Sequence, residues 1–313
     1  MQDLKAKFDE YYNCRLLGKF AELESERHRL LNIFIKRLLL TGIFIPILIL
    51  LFWSSFWGNY IAESQNLTDI TIYVLTAYVI ISAIYCCSPI DSFLTDVKHE
   101  IMKDFSHFWG DFEYSFGRSL PDETIINSQL FPFYDNKSGD DYFHGSYQGV
   151  QTIISEEYLT KKVRTKNGSH NVSVFRGVVI LLEMNKKFKG KTIVLKDRGF
   201  FNFFKRIGGK ERVKLEDVVF ERRFEVFADD QIEARYLLTT AFMERILKAK
   251  DAFRGQNIQF SFFDNKLLIA IETKCNMFEV SSLFRRTTNR KMIDRAFSQF
   301  ASVMEIIDLL KLR

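Results

Sequence analysis

Lysine and arginine carry the densest chemistry in this chain. Residues 161–214 hold sixteen of them against three acids, Glu183, Asp197 and Glu211. The whole 313-residue chain has a net charge of only +5, so the other residues together are net acidic and the basic character is confined to one segment. Cations at this density suit a surface rich in phosphate. An anionic bilayer leaflet attracts each nearby Lys or Arg by about 1 kcal/mol, and the attraction decays within roughly a Debye length. Lys186, Lys187, Lys189, Lys191, Arg198, Lys205 and Arg206 are the candidate contacts. Phe200, Phe201, Phe203 and Phe204 fall among them, directly before Lys205-Arg206 and the pair Gly208-Gly209. Four rings followed by two cations read as a loop that inserts at headgroup depth while its cations meet lipid phosphates. The competing reading is a Phe-rich strand or helix end packed in the core, with solvated cations beside it.

Other chemistry is weaker. Nucleic acid is the rival partner for a basic, aromatic segment, but no recognition motif accompanies the charge. GxSxG, the kinase set and any family-specific Cys–His context are absent. His99, Lys103 and His107 share helical spacing with Glu100 and Asp104 nearby, yet lack the HExxH order, and read as a polar helix face. Asp140-Asp141 with His144 could ligate a cation, although Ser138-Gly139-Asp140-Asp141 reads first as a turn. Gly208-Gly209-Lys210 lacks the spacing of a phosphate-binding loop. The expectation is therefore a binding or scaffold module with no catalytic residue, metal ligand set or cofactor. The alternative is a membrane-anchored enzyme acting on a phosphorylated or lipid substrate.

The elements that must position this chemistry begin with two charge-free apolar runs, Leu38–Trp57 and Ile70–Ile90. Each is about as long as the roughly 20 residues a helix needs to cross a bilayer. Lipid satisfies no backbone polar group, so helix is the spanning form expected. Trp53, Trp57 and Tyr60 gather at one end of the first run, where amphipathic rings favour the interface, and Pro46 sits within it. Arg27, Arg29, Lys36 and Arg37 precede the first run and Lys98 and Lys103 follow the second, whereas the connection 58–69 has Glu63 and Asp69 and no cation. The positive-inside rule then puts both ends and the main domain on the cytoplasmic side of the membrane and the short loop outside. Asn66-Leu67-Thr68 fits a glycosylation acceptor, but its closeness to the membrane makes it a chance match. The four cysteines (Cys14, Cys86, Cys87 and Cys275) form no disulfide or zinc spacing, which suits a reducing compartment.

The expected order is a cytoplasmic amphipathic helix over 1–37, spans at 38–57 and 70–90 around an external loop at 58–69, and an amphipathic helical linker over 91–120. A cytoplasmic α+β domain over 121–313 follows. In the N-terminal helix Phe20, Leu23, Arg27, Leu30, Leu31, Phe34 and Ile35 repeat at helical spacing, and in the linker Phe93, Val97, Ile101, Phe105, Phe108 and Phe112 do. Beyond Pro121, β-rich runs predict strands at 149–155, 159–165, 172–184, 192–196, 224–228, 258–263 and 267–272. Lys166-Asn167-Gly168-Ser169 and Asp264-Asn265-Lys266 predict hairpin turns. Helices are expected over 230–251 and 290–311, the first capped by Asp229-Asp230 with Glu233 as the reciprocal acid. Hairpins with segregated helices indicate an α+β fold that is mainly antiparallel.

Three stretches resemble the bacterial membrane-protein family of unknown function DUF3137. They are Val172-Ser173-Val174-Phe175-Arg176-Gly177 through Leu195, Phe220-Glu221-Arg222-Arg223-Phe224-Glu225-Val226-Phe227 through Thr239, and Phe260-Ser261-Phe262 through Ile271. Thr240 stands where the pattern leads one to expect proline, which would shift the start of a helix. The resemblance implies a helix, two spans and one α+β domain. It implies a membrane location and little more, and no catalytic residue can be carried over from it. Membrane lipid, a protein partner, or both are the contacts expected from the basic segment itself.

Overall fold

The computed structural model describes residues 2–52, 65–165, 168–196, 209–252 and 257–310. The chain divides into two compact units, Met1–Ile101 with Val280–Arg290, and Met102–Glu279 with Lys291–Arg313. The fold is α+β, as the spacing predicts: long N-terminal helices followed by a large antiparallel sheet with helices. Trp53, Trp57, Tyr60 and the stretch 197–208, which holds Arg198, Lys205, Arg206 and the four clustered Phe, lie outside the described residues.

In the first unit, α1 (Gln2–Tyr11), α2 (Leu17–Leu39) and α3 (Ile45–Phe52) follow one another through π-helical turns at Tyr12–Leu16 and Leu40–Phe44. Pro46 has no N–H to give to the turn before it, and the wider π turn lies where that donor is missing. The return helix α4 (Gln65–Val97) starts before Ile70, so residues 65–69, expected in a loop, are helical. Phe8, Tyr12, Leu16, Phe20, Leu23, Arg27 and Leu30 are buried at three- and four-residue spacing, one stripe along α1 and α2. Farther along, Leu38, Leu39, Leu40, Ile43, Phe44, Ile47 and Leu50 are exposed, as are Val79, Ile80, Ile81 and Ile84 on α4. Polar contacts join α2 and its π turn to α4. Arg37 donates to the Tyr85 carbonyl at 2.8 Å and lies 4.2 Å over the Tyr85 ring, and Thr41 Oγ1 meets Cys86 Sγ at 3.2 Å. Segment Val280–Arg290 closes on α2: Thr287 donates from its amide (2.8 Å) and hydroxyl (2.7 Å) to Glu24, and Arg27 donates to the Leu283 carbonyl.

Among the described residues, the second unit is built on nine strands. They are β1 (Asp111–Phe116), β2 (Asn136–Tyr147), β3 (Val150–Thr165), β4 (Gly168–Glu183), β5 (Thr192–Lys196), β6 (Glu211–Val213), β7 (Phe224–Ala228), β8 (Ile258–Phe263) and β9 (Lys266–Glu272). Their order in the sheet is β1-β2-β3-β4-β9-β8-β5-β7-β6 and every pairing is antiparallel. Leu120 and Ile125, with α6 (Asp122–Ser128), pack on one face with Leu159, Phe175, Val179, Leu195, Phe227 and Leu268. On α10 (Lys291–Leu310), Phe300 is fully buried against Phe105, Trp109, Phe112, Phe143 and Phe278. The abundant phenylalanine thus forms a ring-on-ring core.

Several expectations are corrected. The linker stripe ends as helix at Phe108, in α5 (Lys103–Phe108), and Phe112 belongs to β1. A bare three-to-four spacing of Phe does not separate the two forms: Gly110, at φ 135°, breaks the helix and the chain turns into the sheet. The Ser138–Asp141 stretch is not a turn but the interior of β2, bulged between Gly139 and Tyr142 against β3. A Cβ on Gly139 would sit 2.1 Å from the Arg118 carbonyl oxygen, so glycine serves close backbone approach here. After the short α7 (Val218–Glu221), the helix expected over 230–251 is two, α8 (Gln231–Leu237) and α9 (Thr240–Ala252), with Thr239 Oγ1 accepting from Phe242 N at 3.3 Å at the new start. Asp230 does cap α8, but Glu233 reaches another loop instead of closing a capping box.

Candidate functional site

The connection between β4 and β5 carries Lys186, Lys187, Lys189 and Lys191, and acids hold its backbone. Glu233 on α8 accepts from Lys189 N at 2.7 Å and Gly190 N at 2.6 Å, and Asp229 accepts from Lys191 N at 2.8 Å. Two successive amides closing on one carboxylate make an anion-binding concavity that the chain fills itself. A Cβ on Gly190 would meet Glu233 Oε2 at 2.7 Å, so a larger residue would push the carboxylate tip away from the two amides. Lys186 donates to the Tyr236 carbonyl at 3.1 Å and lies 4.7 Å from the centroid of its ring, whereas the Lys187 and Lys189 side chains are exposed. Lys210, of the Gly-Gly-Lys sequence, puts its ammonium 2.9 Å from Asp229. Burial works to raise the Asp229 carboxyl, but Lys210 and the Lys191 amide together hold it below the usual carboxylate range.

A second cationic group gathers at the end of β5. The Lys250 ammonium lies 4.6 Å over the Phe224 ring and 3.4 Å from the Arg223 carbonyl oxygen. Burial, then the charges of Lys196 and Arg223, push its pKa down, against the smaller pull of Asp251. Asp251 already answers part of this charge, since Arg223 pairs with it at 2.7 Å.

The third group is the distal β3–β4 hairpin. Lys161, Lys162 and Arg164 are exposed, paired in register with Val172, Asn171 and Ser169. Sequence reasoning counted these cations in the basic window but did not single them out. The signal that finds them is an acid-free run from Tyr158 to Leu182, longer than any one strand.

Acids gather elsewhere. The β2 bulge sets Asp140 and Asp141 against Glu156 of β3, with ligand atoms within 4.8 Å of one another. Exposed His144, farther along β2, is not part of the group. Each carboxylate has a protein donor: the Tyr114 hydroxyl to Asp141 (2.6 Å), Asn276 Nδ2 to Asp140 (3.1 Å) and Met277 N to Glu156 (3.0 Å). Arg176 donates to Asn276 Oδ1 beside them, and with Asp140, Glu156 and Tyr158 lines a cleft of about 340 Å³. Burial and then Asp141 raise the Tyr114 hydroxyl far above its ordinary range, so it stays a donor. Three oxygen ligands at this spacing match what a hard divalent cation takes, but these donors already answer the same charge.

Residues 173–312 match the family model described as "Protein of unknown function (DUF3137)". The three stretches that carry the resemblance lie inside this match apart from Val172, and residues 1–172 lie outside it. Comparison with curated proteins found no match. Among solved structures, the chain is similar to the crystal structure of the mycobacterial trehalose monomycolate transport factor A. The identity is 10% over 64% of this chain and 90% of that one, with a TM-score of 0.33, a likeness too slight to carry a functional argument.

Proposed function

We propose that this protein anchors its α+β unit, most of it within the DUF3137 match, to a bacterial cytoplasmic membrane as a non-catalytic binding or scaffold module. Spans at 38–57 and 70–90 cross the bilayer, both termini and the main domain are cytoplasmic, and the basic segment meets the anionic inner leaflet. Lys186, Lys187, Lys189 and Lys191 are its described contacts, joined by Arg198, Lys205 and Arg206, with Phe200, Phe201, Phe203 and Phe204 as inserted rings. The observation that carries this reading is the exposure of apolar side chains along both long helices. In the most apolar 18-residue window of each, only 11% is buried, whereas the core helix of a soluble protein is mostly buried. Uncovered Ile, Leu and Phe on helices of this length suit hydrocarbon as solvent.

The test is fractionation of native membranes. The chain should remain with the membrane through alkaline carbonate and leave only with detergent, and a cytoplasmic reporter fused to Arg313 should be active. Recovery in the soluble fraction without detergent overturns the anchoring. A reporter active only on the outer side overturns the orientation.

A further inference from the structure

We infer that the projecting end of the β3–β4 hairpin, Lys161–Thr165 with Gly168–Ser173, is a docking arm for anionic lipid headgroups. The inference rests on the membrane-anchored reading above and names the surface that meets the leaflet. Register fixes which side chains share a face. Lys162/Asn171 and Arg164/Ser169 lie across from one another on one face, and Lys161/Val172 and Val163/His170 on the other. Cations thus stand on both faces of a two-stranded ribbon. All of its residues are exposed except half-buried Val163, so neither face is covered by the rest of the unit.

Three observations select lipid. No acid occurs between Glu157 and Glu183, while Lys161, Lys162, Arg164, Lys166 and Arg176 all lie there. The nearest acid at the base, Asp135, accepts the Lys162 amide at 2.7 Å. Apolar groups accompany the cations: Phe133 is 70% exposed with Lys161 Nζ 5.7 Å from its ring centroid, and Val172, opposite Lys161, is 42% exposed. An exposed ring and a valine beside cations suit the headgroup–acyl boundary, where rings insert and ammonium groups meet phosphate. A bare two-stranded ribbon is marginal in water, so a surface that orders it completes its stabilisation. Covalent attachment to two apolar spans also keeps the arm at high effective concentration near lipid. A nucleic acid would use the charge and could stack a base on Phe133, but it would leave Val172 without a role and gains nothing from the two apolar spans.

The test uses the full chain reconstituted in nanodiscs of phosphatidylcholine alone, or with one quarter phosphatidylglycerol, and reads amide hydrogen exchange over residues 161–173. Exchange should slow by about tenfold or more in the anionic discs, and the protection should vanish at high salt. The triple variant Lys161→Gln, Lys162→Gln, Arg164→Gln should lose it in both disc types while keeping the wild-type melting temperature, because all three side chains are exposed. Equal exchange in the two disc types, with the chain still embedded, overturns the arm and leaves the anchoring intact. Failure to enter discs at all overturns the anchoring. Protection by a single- or double-stranded oligonucleotide without anionic lipid would reassign the arm to nucleic acid and overturn the lipid proposal.

Discussion

The two units use the same apolar residue types in opposite ways. In the sheet unit Phe300 is fully buried, ringed by five aromatic side chains. In the helical unit Ile84 is 68% exposed on α4, and Phe44 is 60% exposed in the π turn that follows α2. Their polar groups differ as well. The helices join through side-chain to backbone contacts, Arg37 to the Tyr85 carbonyl and the Tyr78 hydroxyl to the Thr41 carbonyl, and the sheet through continuous ladders. The difference shows that hydrophobicity alone does not place a side chain inside a protein. What matters is the solvent the element was built for, and the exposed stripe on the helices has no satisfactory solvent in water.

The sharpest way to break this comparison is to remove a ring from the buried core. Phe300→Ala should cost about 3–5 kcal/mol, since it empties the centre of the aromatic cluster. The loss should appear as a lower denaturation midpoint of the detergent-solubilised chain, followed by tryptophan fluorescence. An unchanged midpoint would mean that the sheet unit does not depend on this core.

A charge on the outward helix face comes next. Ile80 is 55% exposed on α4, so Ile80→Lys leaves the packing of the unit untouched. Near the middle of a span it should nevertheless cost about 3 kcal/mol of insertion, seen as a reduced carbonate-resistant fraction. If the variant partitions like wild type, water rather than lipid surrounds that face.

The smallest effect sharpens the comparison through two carboxyls shifted in opposite directions. Glu157, fully buried in the sheet unit, accepts at Oε1 from Leu120 N (2.6 Å) and Ser155 Oγ (2.7 Å), while its Oε2 has no partner among the described residues. Burial raises its pKa to about 7, against the pull of those donors. A raised carboxyl contributes stability that is fully present below about 4.5 and is lost as pH rises through about 7, at most about 3 kcal/mol. Glu24 in the helical unit is instead lowered to about 2, chiefly by its hydrogen bond from Arg27 and further by Thr287, with burial opposing. Its contribution is present above about 4.5 and lost as pH falls toward 2. Melting temperatures from pH 5 to 8 should therefore fall for wild type and flatten for Glu157→Gln. Glu24→Gln should leave that slope unchanged and loosen residues 280–290 in hydrogen exchange. A slope equally steep in Glu157→Gln would clear this carboxyl of any role.

Parts of this were legible from residue order because they depend on neighbours. Short apolar runs rich in Ile, Leu, Val and Phe mark β5, β7, β8 and β9, and Asp264 and Asn265 hold the positive φ values (50° and 57°) of a two-residue hairpin. Other parts were not. Asn136–Tyr147 reads as polar and turn-rich, yet it pairs on both sides as a strand, its Gly139 and Gly145 admitting neighbouring backbone. The break at Leu238–Thr239 is hidden because the apolar spacing continues across it. Glu233 looks like half of a capping box and instead binds two amides some 43 residues away. The acidic group formed by Asp140, Asp141 and Glu156 depends on a bulge that only strand pairing creates.

By itself the order of residues determined that two helices are long and apolar enough to span a bilayer, that an antiparallel α+β unit follows, and that positive charge is concentrated in one stretch. Each of these is a property of composition or of periodicity along the chain. Only the tertiary structure decided which cations remain exposed, as at Lys161, Lys162 and Arg164, and which are held by distant groups, as Lys210 is by Asp229. The physical reason is that a charge is answered through space, by whichever donor or acceptor the fold brings within about 3 Å, and sequence distance does not record that approach.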